Sequence, residues 1–555
     1  ISNDSSDSVR LEEDIINNES FFKISNVDKM RPFFMSLVSN SNHWLFISST
    51  GGLSAGRKDT SNALFPYYTD DKIIRSSENT GSKTIFRISK NGKTHLWEPF
   101  SERQQGLFKT TRNLYKNRLG NKIKFEEINH DLGVNFSINW KTSDRFGFIR
   151  EALLENESSE SISVSLIDGI QNILPWGIEP MLQMRSSNLA DAYKRNELEI
   201  ESGLGVYSLS ALIVDRAEPS EALKANTVWS LGFENPKYLL SNLQLDQFRT
   251  GYPIQNELDI RAEKGAYFLN SDFSLKQKSL KKWTIVADVN QSIDQIVLKR
   301  ELLKNNENLF NELNQDIEFG SEELIRLVAA SDGLQLTGDG LRNTRHFSNT
   351  LFNIMRGGIF DFNYNIEKTD LARYLFGANK ELYNKKIDFL NQLDEDSSLS
   401  SIQTQLNKET DLDLVRLIKE YLPLKFSRRH GDPSRPWNEF SINTKNEKDG
   451  SKILDYQGNW RDIFQNWEAL AHAYPDFIEG MIYKFLNAST FDGYNPYRLT
   501  KDGFDWETIE QDNPWSYIGY WGDHQIIYLL KFLEFSENYF PNKLNAILDQ
   551  DLFVF

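Results

Sequence analysis

The sequence contains no cysteine. That excludes disulfide frameworks, thiolate metal sites and cysteine nucleophiles, and it fits a reducing compartment. Only 7 histidines occur, scattered and without an H-E-x-x-H pattern, so no metal and no organic cofactor is expected. The stretch "SSTGGLSAGRKDTSNALFPYYTDDKI" (48–73) has glycines and a lysine. It lacks the G-x-x-x-x-G-K-[ST] pattern and a following helix, which predicts a loop rather than a phosphate cradle. No G-x-S-x-G nucleophile elbow is present. No apolar run approaches the roughly 18 residues that span a bilayer, so no membrane partner is expected. A basic stripe is also missing: 63 Lys and Arg face 79 Asp and Glu, for a net charge of −16. Nucleic acid would be repelled by that field. The chain starts at Ile1 and ends on "DQDLFVF", an apolar run without a stop signal. These ends predict an internal piece of a longer protein.

What is present suffices for large cores. Of 555 residues, 39% are hydrophobic and 13% aromatic, which predicts two or three domains. Residues 1–290 read as strands. "SKTIFRISKNGKTHLWEPF" alternates around Asn91-Gly92, the strongest short hairpin signal. "KIKFEEINHDLGVNFSINWKT" repeats the form around Asp131-Leu132-Gly133, and "FGFIREALLENESSESISVSLIDG" gives two more runs around a polar turn. Many strands with few helical windows predict a large antiparallel sandwich. Residues 291–319 carry helical spacing with Ser292 as a cap, and predict a helical linker. From 320 to 555 the windows are helical, broken by long loops at 425–458 and 490–516. Long loops in a helical domain are usually functional.

Those loops hold the candidate residues. "KFSRRHGDPSRPWNEFSI" carries Arg428, Arg429, His430, Asp432 and Trp437. The later stretch carries Asp505, Trp506, Glu507, Trp521, Asp523 and His524. Half of the 12 tryptophans lie between Trp437 and Trp521. Rings stack on the apolar face of a pyranose, while Asp and Arg exchange paired hydrogen bonds with its hydroxyls. "YQGNWRDIFQNWEAL" places Trp460, Arg461 and Asp462 in the first turn of a helix capped by Asn459. Ile463, Phe464, Trp467, Leu470, Ala471 and Tyr474 follow with the spacing of a buried face. "WGDHQIIYLL" repeats the design with Asp523 and His524. Together these helix starts suggest one end of a helical toroid. A plain reading stands beside this one: Asn459 and Asp462 as a capping pair, Asp523 as a favourable charge at a helix start, and 428–432 as a salt-bridged loop.

In order and texture the chain resembles the cellobiose phosphorylase group, glycoside hydrolase family 94 and its relatives. "YQGNWRDIFQNWEAL" is similar to that group's R-D-x-x-Q-D segment, with Arg461, Asp462 and Gln465 in place and Asn466 where an acidic residue is usual. "YIGYWGDHQIIYLL" is similar to its D-D-x-x-W-L segment, with His524 standing for the second Asp. The resemblance implies a β supersandwich, a helical linker and part of an (α/α) six-hairpin toroid. It implies substrate contacts from Trp460, Arg461, Asp462, Gln465, Trp521, Asp523 and His524, helped by the 428–437 loop. It further implies inverting phosphorolysis of a β-linked glucose-type glycan, with phosphate as co-substrate, a homodimer and a cytoplasmic location. In the group the general acid follows the D-D-x-x-W-L segment by a few tens of residues, so here it is expected beyond Phe555. Asp505 and Glu507 are the local alternatives. An inverting hydrolase and a non-catalytic carbohydrate-binding protein remain open.

Overall fold

A computed structural model describes residues 8–213, 220–305, 308–428, 431–435, 441–446, 449–506, 520–521 and 526–553, the pair 520–521 as backbone. The chain divides into two compact units. The first comprises Ile1–Leu324 with Asp432–Trp437, and the second comprises Ile325–Gly431 with Asn438–Phe555. Among the described residues no helix is long and apolar enough to cross a membrane.

The first unit is built from antiparallel strands. Among the described residues an 11-stranded sheet runs from Arg10–Ile16 at one edge to Asp259–Arg261 at the other. A 5-stranded sheet has the order Lys237–Leu239, Gly265–Leu275, Ile162–Ile173, Gly81–Lys90, Lys93–Trp97. A 4-stranded sheet covers Phe34–Leu37 to Ala63–Phe65. Alternate residues of all three sheets meet in one core, including Phe86, Trp97, Phe136, Trp140, Leu166, Tyr267 and Trp283. The Asn91-Gly92 hairpin forms as the sequence predicts. Lys90 pairs with Lys93, and both loop residues have positive φ, 52° and 74°, the form that matches strand twist.

One reading changes in this unit, and one strand pairing that the sequence leaves open is resolved. Strands Gly147–Asn156 and Ile162–Ile173 follow one another around a polar turn but lie in different sheets. They are joined through a buried ion pair: Arg150 donates to both oxygens of Asp168 at 2.7 Å, and Trp283 Nε1 donates to the same carboxylate at 2.6 Å. The stretch 48–73 is not a loop. It contains strands Leu53–Arg57 and Ala63–Phe65, and helix Asp70–Arg75 follows. Its glycines serve close packing: a Cβ on Gly56 would meet the Trp44 ring at 2.4 Å.

Helix Ile293–Asn305 follows the strands, and helix Leu309–Ala330 runs straight through the boundary placed at 319. Its apolar face is continuous across that point, with Leu313, Ile317, Leu324 and Val328 all buried.

The second unit is mainly helical. Helix Trp460–Ala473 packs against helices Gly340–Gly357 and Ile526–Tyr539. Ile463, Phe464, Trp467, Leu470, Ala471 and Tyr474 are buried, as their spacing requires. Trp467 Nε1 donates to Gly357 O at 2.7 Å, fixing the helix against its neighbour. Between these helices, Ile359–Phe360 pairs with Leu424–Lys425 and forms a neck. Residues on the far side of that neck, Ile366, Leu371, Tyr374, Ile402, Leu414 and Tyr421, share one core with Tyr483, Ile547 and Leu552 from later in the same unit.

Candidate functional site at the start of helix Trp460–Ala473

Strand Gln457–Asn459 leads into the helix and pairs with Arg498–Thr500, which pairs in turn with Phe504–Asp505. Trp460 N donates to Tyr497 O at 3.0 Å, and Lys501 N donates to Tyr456 O at 3.0 Å. The helix start is therefore bolted to a hairpin from the later loop. Asn459 occupies the N-cap position, but its side chain makes no capping bond.

Arg461 and Gln465 lie one turn apart on the exposed face, and Asp462 is half-buried. Among the described residues the Arg461 and Asp462 side chains enter no ion pair. Asn466 is buried, and its amide donates to the backbone oxygen of Asp462. It closes the helix turn and faces the interior. Trp460 differs from expectation. Its ring is 1% exposed and packs on Phe464 and Phe485 at centroid distances of 4.7 and 5.0 Å. A ring enclosed by two others has no face left for a sugar.

Exposed rings lie elsewhere on the same excursion. Trp506 stacks on Tyr494 at 5.5 Å with planes 7° apart, and Phe504 meets Trp506 edge-on at 5.7 Å. Tyr494–Asn495 pairs with Tyr520–Trp521, so the backbone of Trp521 joins this arrangement. The sequence reading names Trp506 among the candidates of this loop, whereas Phe504 and the stacked partner Tyr494 join it only through the fold. The dense aromatic spacing of the loop was the available signal. Arg498 donates to Gln457 Oε1 at 2.6 Å and pairs with Asp505 at 3.4 Å. Asp505 is exposed in this pair. It lacks the enclosed setting in which a carboxylic acid serves as proton donor.

Arg428 lies in the same unit. Phe426 adopts a left-handed conformation, φ 67°, which turns the chain back on helix Gly340–Gly357. Ser427 Oγ and Arg428 N then satisfy the terminal carbonyls of Arg356 and Met355, at 2.9 and 2.7 Å. The guanidinium is enclosed, with Nε and one terminal nitrogen unpartnered among the described residues. Burial brings its pKa down to about 10. Asp432 falls in the other unit, where its carboxylate accepts from Ser434 N at 2.8 Å. Arg429, His430, Trp437, Glu507, Asp523 and His524 lie outside the described residues, and the Trp521 side chain is not described.

Comparison with known proteins adds a local likeness. Residues 360–423 match the sequence profile of "Glycoside hydrolase family 149 insertion domain 1". The match begins and ends at the neck between Ile359–Phe360 and Leu424–Lys425. The likeness covers that segment alone. No curated protein matches the chain. Solved structures with distant likeness include a bacterial glucoamylase complexed with acarbose, at 10% identity and TM-score 0.35, covering 90% of this chain and 74% of that one. Another is described as a kojibiose phosphorylase from human microbiome, at 9% identity and TM-score 0.33, covering 96% and 66%. A polysaccharide lyase gives 11% identity and TM-score 0.26, covering 49% and 34%. The chain thus spans about a third of the lyase and 66% of the phosphorylase-described protein.

Proposed function

We propose that the chain is part of a glycoside phosphorylase that inverts a β-linked glucose-type glycan, with inorganic phosphate as co-substrate. In this reading the sheets form a supersandwich and the helical unit part of an (α/α) six-hairpin toroid. The observation that carries it is the helix start at 460–462. There an exposed guanidinium and a half-buried carboxylate stand without partners among the described residues. The hairpin bolted to that helix start continues into the exposed Trp506 and its stacked Tyr494.

Arg461 donates to and Asp462 accepts from neighbouring hydroxyls of one sugar, fixing the ring relative to the glycosidic bond. The Tyr494–Trp506 pair offers a flat apolar surface for a further ring. Inversion needs a carboxylic acid on the glycosidic oxygen and phosphate on the opposite face of the ring. Arg461 and Asp462 position the sugar and do not transfer the proton. The substrate partner is an oligosaccharide or polysaccharide, and the location is cytoplasmic.

Incubation with cello- and laminari-oligosaccharides, with and without phosphate, tests the reading. Release of a sugar 1-phosphate only when phosphate is present supports it. Phosphate-independent release of reducing sugar would assign an inverting hydrolase instead. Binding without turnover would assign a carbohydrate-binding protein.

A further inference from the structure

The segment 360–423 is built into the helical unit. Its residues Leu371, Tyr374 and Leu417 share one core with Tyr483 and Ile547. Lys419 Nζ donates to Glu479 Oε1 at 2.6 Å, and Asn487 Nδ2 donates to Glu420 Oε1 at 2.5 Å. Glu479 and Asn487 lie near the two ends of helix Ile478–Asn487, so the segment is pinned along that helix. Within the segment, Asp370 sits in the first turn of helix Lys368–Ala378 and is 5% exposed. Tyr421, just past helix Leu412–Glu420, donates to its carboxylate at 2.5 Å. One carboxylate is thus held from both ends of the segment.

The other partner of that carboxylate is Lys501, at the end of the hairpin strand beside the helix start. Its Nζ carries three N–H groups, and three acceptors face them. They are the two oxygens of Asp370 at 2.9 and 2.7 Å and Leu454 O at 3.0 Å. Its backbone N donates to Tyr456 O at 3.0 Å, and its backbone O accepts from Lys484 Nζ at 3.1 Å. Lys501 therefore ties residues 454–456 and strand Arg498–Thr500 to the segment 360–423.

Residues 454–456 run directly into strand Gln457–Asn459 and the helix start. Asn459 supplies no capping bond to that helix. The direction in which the first turn leaves the strand is set by other bonds. These are the pairing of Gln457 with Thr500 and of Asn459 with Arg498, and the bond from Trp460 N to Tyr497 O. Lys501 locks the far end of this ladder. A buried ion pair is a weak source of stability, because desolvation offsets the attraction. It is a strong source of geometry here, because three acceptors from two separate segments must meet one ammonium.

We propose that Asp370 and Lys501 are positioning residues for the sugar clamp at Arg461 and Asp462, a role that rests on the reading of the helix start given above. Through this pair the segment 360–423 sets the direction in which the first helix turn presents its guanidinium and carboxylate to the glycan. The pair itself touches no sugar.

Hydrogen–deuterium exchange, with calorimetric titration of cellotriose and laminaritriose into the full chain, tests the proposal. The variants are Asp370→Asn and Tyr421→Phe. The second leaves the ion pair in place and carries the test where the first fails to fold. Each is expected to speed amide exchange across 456–463 by about tenfold, while helix Gly340–Gly357 exchanges as in wild type. Each is expected to weaken triose binding by roughly tenfold. In the double variant of Asp370→Asn with Arg461→Ala the losses should not add, because one residue acts through the other. Wild-type exchange across 456–463 overturns the proposal, and so do additive losses. A lower melting temperature with wild-type affinity in the folded protein marks a purely structural link and also overturns it. Where Arg461→Ala weakens binding and neither Asp370→Asn nor Tyr421→Phe does, the helix start stands and the proposal fails alone. Where Arg461→Ala binds as wild type, the reading of the helix start fails and the proposal falls with it.

Discussion

Lys501 Nζ lies 2.9 and 2.7 Å from the two carboxylate oxygens of Asp370, buried within the helical unit. Asp370 belongs to the segment that matches the family 149 insertion domain. Lys501 follows directly on strand Arg498–Thr500, which holds the start of helix Trp460–Ala473. The same Nζ donates to Leu454 O at 3.0 Å, and Tyr421 OH donates to Asp370 at 2.5 Å. The insertion and the candidate sugar site are thereby joined through one satisfied network.

Removing one partner should cost more than the pair contributes, because the remaining charge stays buried. Lys501→Met is expected to destabilise by about 3–5 kcal/mol in urea unfolding. A loss below about 1 kcal/mol would show that Asp370 reaches water without its partner.

Trp460 should act as a core residue. Trp460→Ala is expected to cost about 3–5 kcal/mol. Trp460→Phe should retain glycan affinity, because the native ring contacts Phe464 and Phe485. A glycan affinity that falls tenfold in the phenylalanine variant, with stability intact, would return the ring to the sugar site. Titration calorimetry separates the two outcomes.

The exposed ring should behave in the opposite way. Trp506→Ala is expected to leave the melting temperature within a degree or two, since its ring is 40% exposed. Affinity for oligosaccharides of three or more sugars should fall by roughly tenfold. Equal affinity for long and short oligosaccharides in both proteins would remove the ring from the site.

Acid stability should depend on Glu151. Burial alone would raise its pKa, but the ammonium groups of Lys141 and Lys282, each at 2.9 Å, outweigh it and hold the carboxyl below its ordinary value. A depressed folded pKa stabilises above the unfolded value of about 4.3, and that stability disappears as pH falls through the folded value. Glu151→Gln should therefore melt below wild type at pH 7. The gap should close below about pH 4. A gap of constant size across that window would contradict the assignment.

The strands were legible because alternation and turn chemistry are local. Asn91-Gly92 fixes its hairpin within four residues. Sheet membership was not legible: strands Gly147–Asn156 and Ile162–Ile173 alternate alike, and only the distant partners Leu280–Ser292 and Gly265–Leu275 separate them. At the site, the buried stripe from Ile463 to Tyr474 was readable from spacing. The fate of Trp460 was not, because residue 460 also lies on the side facing Phe485, which comes from a later helix. The enclosure of Arg428 depends on the left-handed turn at Phe426, a conformation that sequence does not announce for phenylalanine. The core beyond the neck likewise draws on Tyr483, Ile547 and Leu552, which lie more than sixty residues after Tyr421 in the chain.

The central claim is that the first turn of helix Trp460–Ala473 grips a sugar. Its most direct test is calorimetric titration of cello- and laminari-oligosaccharides into wild type, Arg461→Ala and Asp462→Asn. The account predicts that each substitution weakens binding by roughly 10- to 100-fold, the worth of a charged hydrogen bond. Thermal melting should be unchanged, since Arg461 is exposed and Asp462 only half-buried. Affinity equal to wild type in both variants would contradict it.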